Sequence, residues 1–450
     1  MKTLPTEYIK RMKDLLGDEY SLYEEALNKE PIKGFRVNTE KISLEDFKKI
    51  DVFSSGKIPY CENGFYLDYE KIGNHPFHHA GIIYVQEPAA MAPAECIDIN
   101  PDWIILDMCA APGGKSTQLK NKLGKNGVLI SNEIIPSRCK ILTGNIERLG
   151  LKNTVTTCLD SSKIANVFPN TFDLIMVDAP CSGEGMFRKD ENAIDEWSIE
   201  NVKKCAVRQA EILENAVKAL KSGGYIIYAT CTFSLEENEM TVDNFLNNHP
   251  DFEILEVKDD VKNHTCDGIL FEGCKNKNLN LSRRFYPHKF KGEGQFMALL
   301  HHKGENVNTP HLTRKPTKTD KAVTDFLDSV LSGYDKEYIT EYNGNPVYFT
   351  PDFNIQKGTA FSCGIRIGEV KSNYILPHHQ FFMGLGENFK RKLDLTNDNE
   401  RLLKYLHGEE IEADCENGWA AVIVNGCVLG GAKVVNGIAK NHYPKGLRLK

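Results

Sequence analysis

The sequence predicts an α/β fold with a doubly wound parallel sheet, on three observations. Trp103 to Leu119 reads as a short apolar strand, broken by small residues with Pro112, Gly113 and Gly114, and resumed in polar residues that open a helix. From there strands and helices alternate regularly, the rhythm of a parallel sheet covered on both faces. Asp107, Glu133, Asp160 and Asp178 then fall at four consecutive strand ends, where such sheets bind their ligands.

At 450 residues the chain exceeds one hydrophobic core, so several domains are expected. Residues 1–60 read as a small α+β appendage, 61–303 as the doubly wound domain, 304–320 as a polar linker, 321–378 as an intermediate domain and 379–450 as a small β-barrel. No apolar run approaches the length of a membrane helix, and the opening residues show no secretory signal, so no membrane is expected. Thirteen cysteines, an odd number with no C-x-x-C pair, argue against a disulfide framework and a structural zinc site and for a reducing cytoplasm. A net charge of −7 gives no global nucleic-acid signature, so RNA contact must come from local basic patches. A monomer is the default assembly.

Taken in order, a charged helical start leads to a strand over 34–39, and the turn Glu62-Asn63-Gly64 precedes an apolar Phe65-Tyr66-Leu67. Tyr84 to Ala94 reads as a helix entered through Pro88. After the glycine loop come strands over 127–133, 154–160, 172–178 and 225–231, with helices over 137–149, ending at Gly150, and over 201–220. Ser234-Leu235-Glu236-Glu237 has a capping-box pattern and predicts a further helix start. A strand over 295–300 would complete the sheet. Near the C-terminus, two apolar strands joined at Asn425-Gly426 form a hairpin, and from Cys427 to Lys450 there is no acidic residue, while Lys433, Lys440, Lys445, Arg448 and Lys450 give a basic edge suited to an RNA backbone.

The chemistry concentrates at the strand ends. Glu133 falls about two dozen residues after the start of the glycine turn, where an acid accepts hydrogen bonds from ribose hydroxyls. Asp160 would lie near an adenine and Asp178 near the reacting end of a nucleoside-containing cofactor. Such acids also cap helices, the competing reading for any one of them. A P-loop is a poor match, because Cys109 stands where its first glycine belongs and Pro112 lies inside the loop. Cys181 and Cys231 sit in polar loops past neighbouring strands, unlike the structural thiols expected at Cys96, Cys139, Cys158, Cys205, Cys266, Cys274, Cys363, Cys415 and Cys427. A nucleophilic thiol needs a cation or a helix N-terminus to ionise near neutrality, and the helix expected at Ser234 would help Cys231. His75, His78 and His79 lack companion ligands and read as loop histidines, so no metal is expected.

Cys109-Ala110-Ala111-Pro112-Gly113-Gly114-Lys115, Asp178-Ala179-Pro180-Cys181-Ser182-Gly183 and Thr230-Cys231-Thr232-Phe233-Ser234 together resemble the motifs of the NOL1/NOP2/Sun family of RNA 5-methylcytosine methyltransferases. The tail, with Gly418-Trp419 and 440–448, is similar to the PUA-like end of the bacterial RsmF branch, which acts on small-subunit ribosomal RNA. The resemblance implies a Rossmann-like S-adenosylmethionine-dependent methyltransferase core, with the cofactor held by Cys109 through Lys115, Glu133, Asp160 and Asp178. It implies Cys231 as the nucleophile and Cys181 as the residue that assists release; addition of the thiolate to cytosine C6 would activate C5, and Asp178, at its strand end, is placed to hydrogen-bond the base edge. Ribosomal RNA or the small subunit is the expected partner. Three other functions compete: methylation of transfer RNA, non-catalytic RNA binding in ribosome assembly, and methylation of protein or a small molecule, which gives no reason for two cysteines and a basic tail.

Overall fold

A computed structural model of the chain describes residues 2–305, 320–372 and 374–450. Its centre is one large mixed sheet. Strands β1 (Gly34–Val37), β2 (Ser54–Lys57), β3 (Gly64–Leu67) and β4 (Ile83–Val85) form a separate antiparallel sheet in the order β2-β3-β1-β4. The central sheet begins with β5 (Ile104–Asp107), β6 (Val128–Asn132), β7 (Thr154–Thr157), β8 (Phe172–Asp178) and β9 (Leu220–Thr230). These five are parallel in the order β7-β6-β5-β8-β9. The order reverses at β5, so a crevice opens beyond its carboxyl end. Strands β10 (Phe252–Leu255), β11 (Cys266–Asp267), β12 (Arg283–Phe285) and β13 (Gln295–His302) extend the sheet antiparallel past β9.

The local sequence explains the helices. Pro136–Leu149 starts with Pro at its first position, and Gly150 closes it at φ 72°. Ile199–Ala219 is capped by the Ser198 hydroxyl, which accepts from the Asn201 N–H. It packs an apolar face, including Ile212, Leu213 and Ala216, onto the sheet core of Leu106, Ile130, Ile175 and Ile226.

Several expectations are corrected. The appendage does not end at residue 60, because β3 and β4 pair with β1 on either side and complete its sheet. Residues 84–94 are not an α-helix: Tyr84 belongs to β4, and Ala89–Glu95 forms a 3₁₀ turn, since Pro93 inside it has no N–H to continue an α-helical ladder. The intermediate segment is not a separate layer. After β14 (Ile339–Tyr342) and β15 (Asn345–Tyr348), strand β16 (Ala360–Cys363) pairs antiparallel with β7 and joins the central sheet, and only then does β17 (Ile365–Arg366) return to β15. Phe349, Phe353, Ala360 and Cys363 accordingly lie in the main core. The expected linker at 304–320 falls almost wholly outside the described residues.

The C-terminal hairpin forms as expected. Strands Gly418–Val424 and Cys427–Val435 meet at a turn with φ 49° at Asn425 and 74° at Gly426, within a five-stranded sheet. Its core merges with that of the N-terminal sheet, Leu393, Tyr405 and Leu429 joining one cluster with Phe35, Phe65 and Phe77. His75, His78 and His79 are not in a loop: His75 caps the short helix Pro76–His79, and burial lowers the His78 pKa to about 3 and the His79 pKa to about 4. Among the described residues, no helix is long and apolar enough to cross a membrane and no group of three or more His, Cys, Asp or Glu is arranged to hold a metal.

Candidate active site

The glycine loop follows β5 with a cis bond between Ala111 and Pro112. Gly113 takes φ 111°, and a Cβ there would meet the Leu142 side chain at 3.0 Å, so the position requires glycine. The carbonyls of the loop are tied down by donors from the helix Pro136–Leu149: Arg138 to Ala111 O at 2.8 Å and Asn145 to Pro112 O at 2.9 Å. A third donor comes from the N-terminal sheet. Arg36, fully buried in β1, donates to Gly114 O and Thr117 Oγ1, both at 2.7 Å, and to Gln86 at 2.6 Å. An arginine inside the apolar strand Phe35-Arg36-Val37 was the available sequence signal for this support.

Asp107 is fully buried at the end of β5; Oδ2 accepts from the Ser116 hydroxyl at 2.6 Å, while Oδ1 has no partner. Burial, partly offset by that hydroxyl, pushes its pKa up to about 7. Lys115, on the helix Gly114–Lys120, reaches back to Asp178 with its Nζ 2.9 Å from Oδ2. Burial works against the lysine's charge, but the Asp178 carboxylate outweighs it and holds the pKa above the usual lysine value.

The other two acids are engaged locally. Glu133 is buried, accepting from the Ile135 N–H at 2.9 Å with Arg138 at 3.3 Å. Asp160 caps the helix Ser161–Val167, accepting from the Lys163 N–H at 3.0 Å and the Ser162 hydroxyl at 2.6 Å, which lowers its pKa to about 2.

Beyond β8 and β9 the two cysteine loops converge, with Cys181 Sγ and Cys231 Sγ 3.1 Å apart and both thiols half-buried. The hydrogen bond to Cys231, together with burial, pushes the Cys181 thiol well above its ordinary range. Two buried glutamates bind these loops together. Glu184 accepts from the Phe233 N–H and the Trp197 indole, each at 2.9 Å, and Gly185 N donates to Cys231 O at 2.8 Å. A Cβ at Gly185 would stand 2.9 Å from that same carbonyl. Glu237 accepts from the Ser182 N–H and Gln209, each at 2.9 Å, and from the Ser182 hydroxyl. The reading of strand-end residues overlooked both glutamates, because neither stands at a strand end.

The helix expected at Ser234 is absent there. Ser234 instead donates to Glu236, and the helix starts at Glu239, so its N-terminus is not the one expected beside Cys231. The nearby cation is Lys115, whose charge Cys231 also favours. Of the thiols expected to be buried, Cys158, Cys266 and Cys415 are only half-buried, whereas Cys96, Cys139, Cys205, Cys274, Cys363 and Cys427 are interior.

Comparison with known proteins matches three successive segments. Residues 94–301 match the family described as 16S rRNA methyltransferase RsmB/F, 4–88 the N-terminal domain of 16S rRNA methyltransferase RsmF, and 390–449 the methyltransferase RsmF PUA domain. Ribosomal RNA small subunit methyltransferase F of Vibrio vulnificus (strain YJ016) is 30% identical over 99% of this chain and 97% of its own. The protein of the same name from Aeromonas salmonicida (strain A449) is 32% identical over 92% and 90%. A solved methyltransferase homolog from Pyrococcus horikoshii is 30% identical, with a TM-score of 0.58 over 66% of this chain and 95% of that one. NSun6 from Pyrococcus horikoshii, at 23% identity and a TM-score of 0.57 over 67% and 99%, shares the fold. The chain belongs to the ribosomal RNA small subunit methyltransferase F family.

Proposed function

We propose that the protein transfers a methyl group from S-adenosylmethionine to C5 of a cytosine in small-subunit (16S) ribosomal RNA, through a covalent bond between Cys231 and cytosine C6. The observation that carries this reading is the pair of thiols 3.1 Å apart beside the Lys115–Asp178 ion pair, an arrangement that RNA binding alone does not require. The full-length relatives are named for small-subunit ribosomal RNA methylation, which favours that substrate.

The residues present fit the cofactor. Asp107 keeps a buried oxygen without a partner and Glu133 has one backbone donor and one longer ion pair, so that the carboxylates at the crevice beyond β5 retain acceptor capacity for a nucleoside. Cys109 through Lys115, Glu133, Asp160 and Asp178 hold S-adenosylmethionine in this reading, which supplies an electrophilic methyl group.

Cytosine C5 is too weak a nucleophile to take a methyl group unaided. The Cys231 thiolate bonds to C6, and the electron pair of the C5–C6 double bond moves to C5, which takes the methyl. Asp178 lies at the base edge and accepts a hydrogen bond from the proton that N3 takes up from solvent as the thiolate adds and gives back on release, and the paired Lys115 ammonium offsets negative charge developing in the adduct. The C5 proton then leaves to solvent, the double bond re-forms and the C6–sulfur bond breaks. Cys181 assists by hydrogen-bonding the departing sulfur. The target base must be unstacked to reach these groups. The reading places the enzyme in the cytoplasm as a monomer, without metal or membrane.

Bisulfite sequencing of RNA from cells with and without the protein tests it. Loss of a 5-methylcytosine from 16S ribosomal RNA is the expected result. Loss confined to transfer RNA would move the substrate, and no loss anywhere would overturn the reading.

A further inference from the structure

Neither thiol is distinguished from the other by the sulfur–sulfur distance, so something else must decide which one attacks. We infer that Glu237 is a positioning residue that fixes both cysteine loops through Ser182 and Thr232 and keeps the proton of the thiol pair on Cys181, leaving Cys231 as the attacking sulfur. The inference rests on the reading of Cys231 as nucleophile.

Three observations support it. Glu237 is fully buried, yet three donors converge on its two oxygens: the Ser182 N–H and Gln209 on Oε2, and the Ser182 hydroxyl on Oε1. Burial raises the Glu237 pKa to about 7 and these donors offset part of that rise, so the carboxylate form prevails above that pH. The Ser182 hydroxyl also shares a hydrogen bond of 2.9 Å with the Thr232 hydroxyl. The residue after Cys181 and the residue after Cys231 are thereby held in one chain that ends on Glu237.

The charges on the two sides of the pair differ in sign. The Cys231 hydrogen bond, burial and the Glu237 carboxylate all disfavour the Cys181 thiolate, whereas the cation of the site, Lys115, interacts with Cys231 from the cofactor side. Gln209 and the Tyr228 hydroxyl, which donates to the Glu237 carbonyl at 2.5 Å, lock the glutamate in place.

The test uses the full chain without RNA. Limiting iodoacetamide followed by peptide mass spectrometry reads which thiol reacts first. In the unaltered protein Cys231 is modified ahead of Cys181; in Glu237→Gln that preference falls about 10-fold, with S-adenosylmethionine binding retained. A folded Glu237→Gln with the original order of alkylation overturns the inference. Should that variant not fold, Thr232→Val decides. A fall in kcat of about 10-fold with unchanged KM for RNA and cofactor supports it, and an unchanged kcat overturns it. Retained turnover in Cys231→Ala would instead remove Cys231 as the nucleophile, leaving the alkylation order to stand or fall separately.

Discussion

The glycine loop and the cysteine loops lie along the same rim of one sheet, yet they are held by opposite chemistry. Around the glycine loop, Arg36, Arg138 and Asn145 donate to loop carbonyls. Around the cysteine loops, Glu184 and Glu237 accept from loop N–H groups. Tying down carbonyls fixes the path of the first loop, whose Ala110 N–H is also held by Asn132 O at 2.8 Å, whereas tying down N–H groups leaves the second pair of loops presenting side chains. The difference also sets the local charge, because the cysteine half places buried acids beside thiols and relies on Lys115, borrowed from the glycine half, for a cation.

The largest test of this division is Cys231→Ala, which should lower methyl transfer by on the order of 10⁴-fold or more while S-adenosylmethionine binding stays unchanged by calorimetry. An equal loss of both would mean that the two halves are not separable. Arg36→Leu sharpens the other half. Removing a buried cation that serves three acceptors should cost about 2–4 kcal/mol in urea unfolding and weaken cofactor binding, with the order of thiol alkylation preserved.

Asp107 gives a pH test. Its folded pKa, about 7, lies above the usual carboxyl value of 3.8, so the folded state holds the extra proton between those limits. Stability from this group is fully present below pH 3.8 and lost as pH rises through about 7. Asp107→Asn should therefore flatten the urea-unfolding stability across that window. The smallest effect is expected at Asp160. Asp160→Ala loses a helix cap, about 1 kcal/mol, with the cap's contribution in the parent protein lost only as pH falls through about 2. If cofactor affinity drops as well, measured by calorimetry, Asp160 holds adenosine in addition to capping.

The parallel strands and the glycine loop were legible because their signals are local. An apolar run, a Pro-Gly-Gly turn and a glycine after Leu149 each sit within a few residues of the structure they specify. What escaped depends on long-range pairing or on competition between local patterns. Strand β16 joins the sheet against β7, about two hundred residues earlier in the chain, and nothing near Ala360 announces that partner. The capping box at Ser234 was a true pattern with a different outcome: Arg11 holds Glu236 by two hydrogen bonds, Glu237 is turned inward to Ser182, and the helix waits until Glu239. The site's thiols and acids could be named from sequence, but not the ion pair between Lys115 and Asp178 or the glutamates that brace the loops.

The most direct measurement is a denaturing gel of Cys181→Ala incubated with small-subunit ribosomal RNA and S-adenosylmethionine. A slow protein–RNA band that disappears in the Cys181→Ala, Cys231→Ala double variant is the predicted result. No such band, or a band that survives loss of Cys231, would contradict the account.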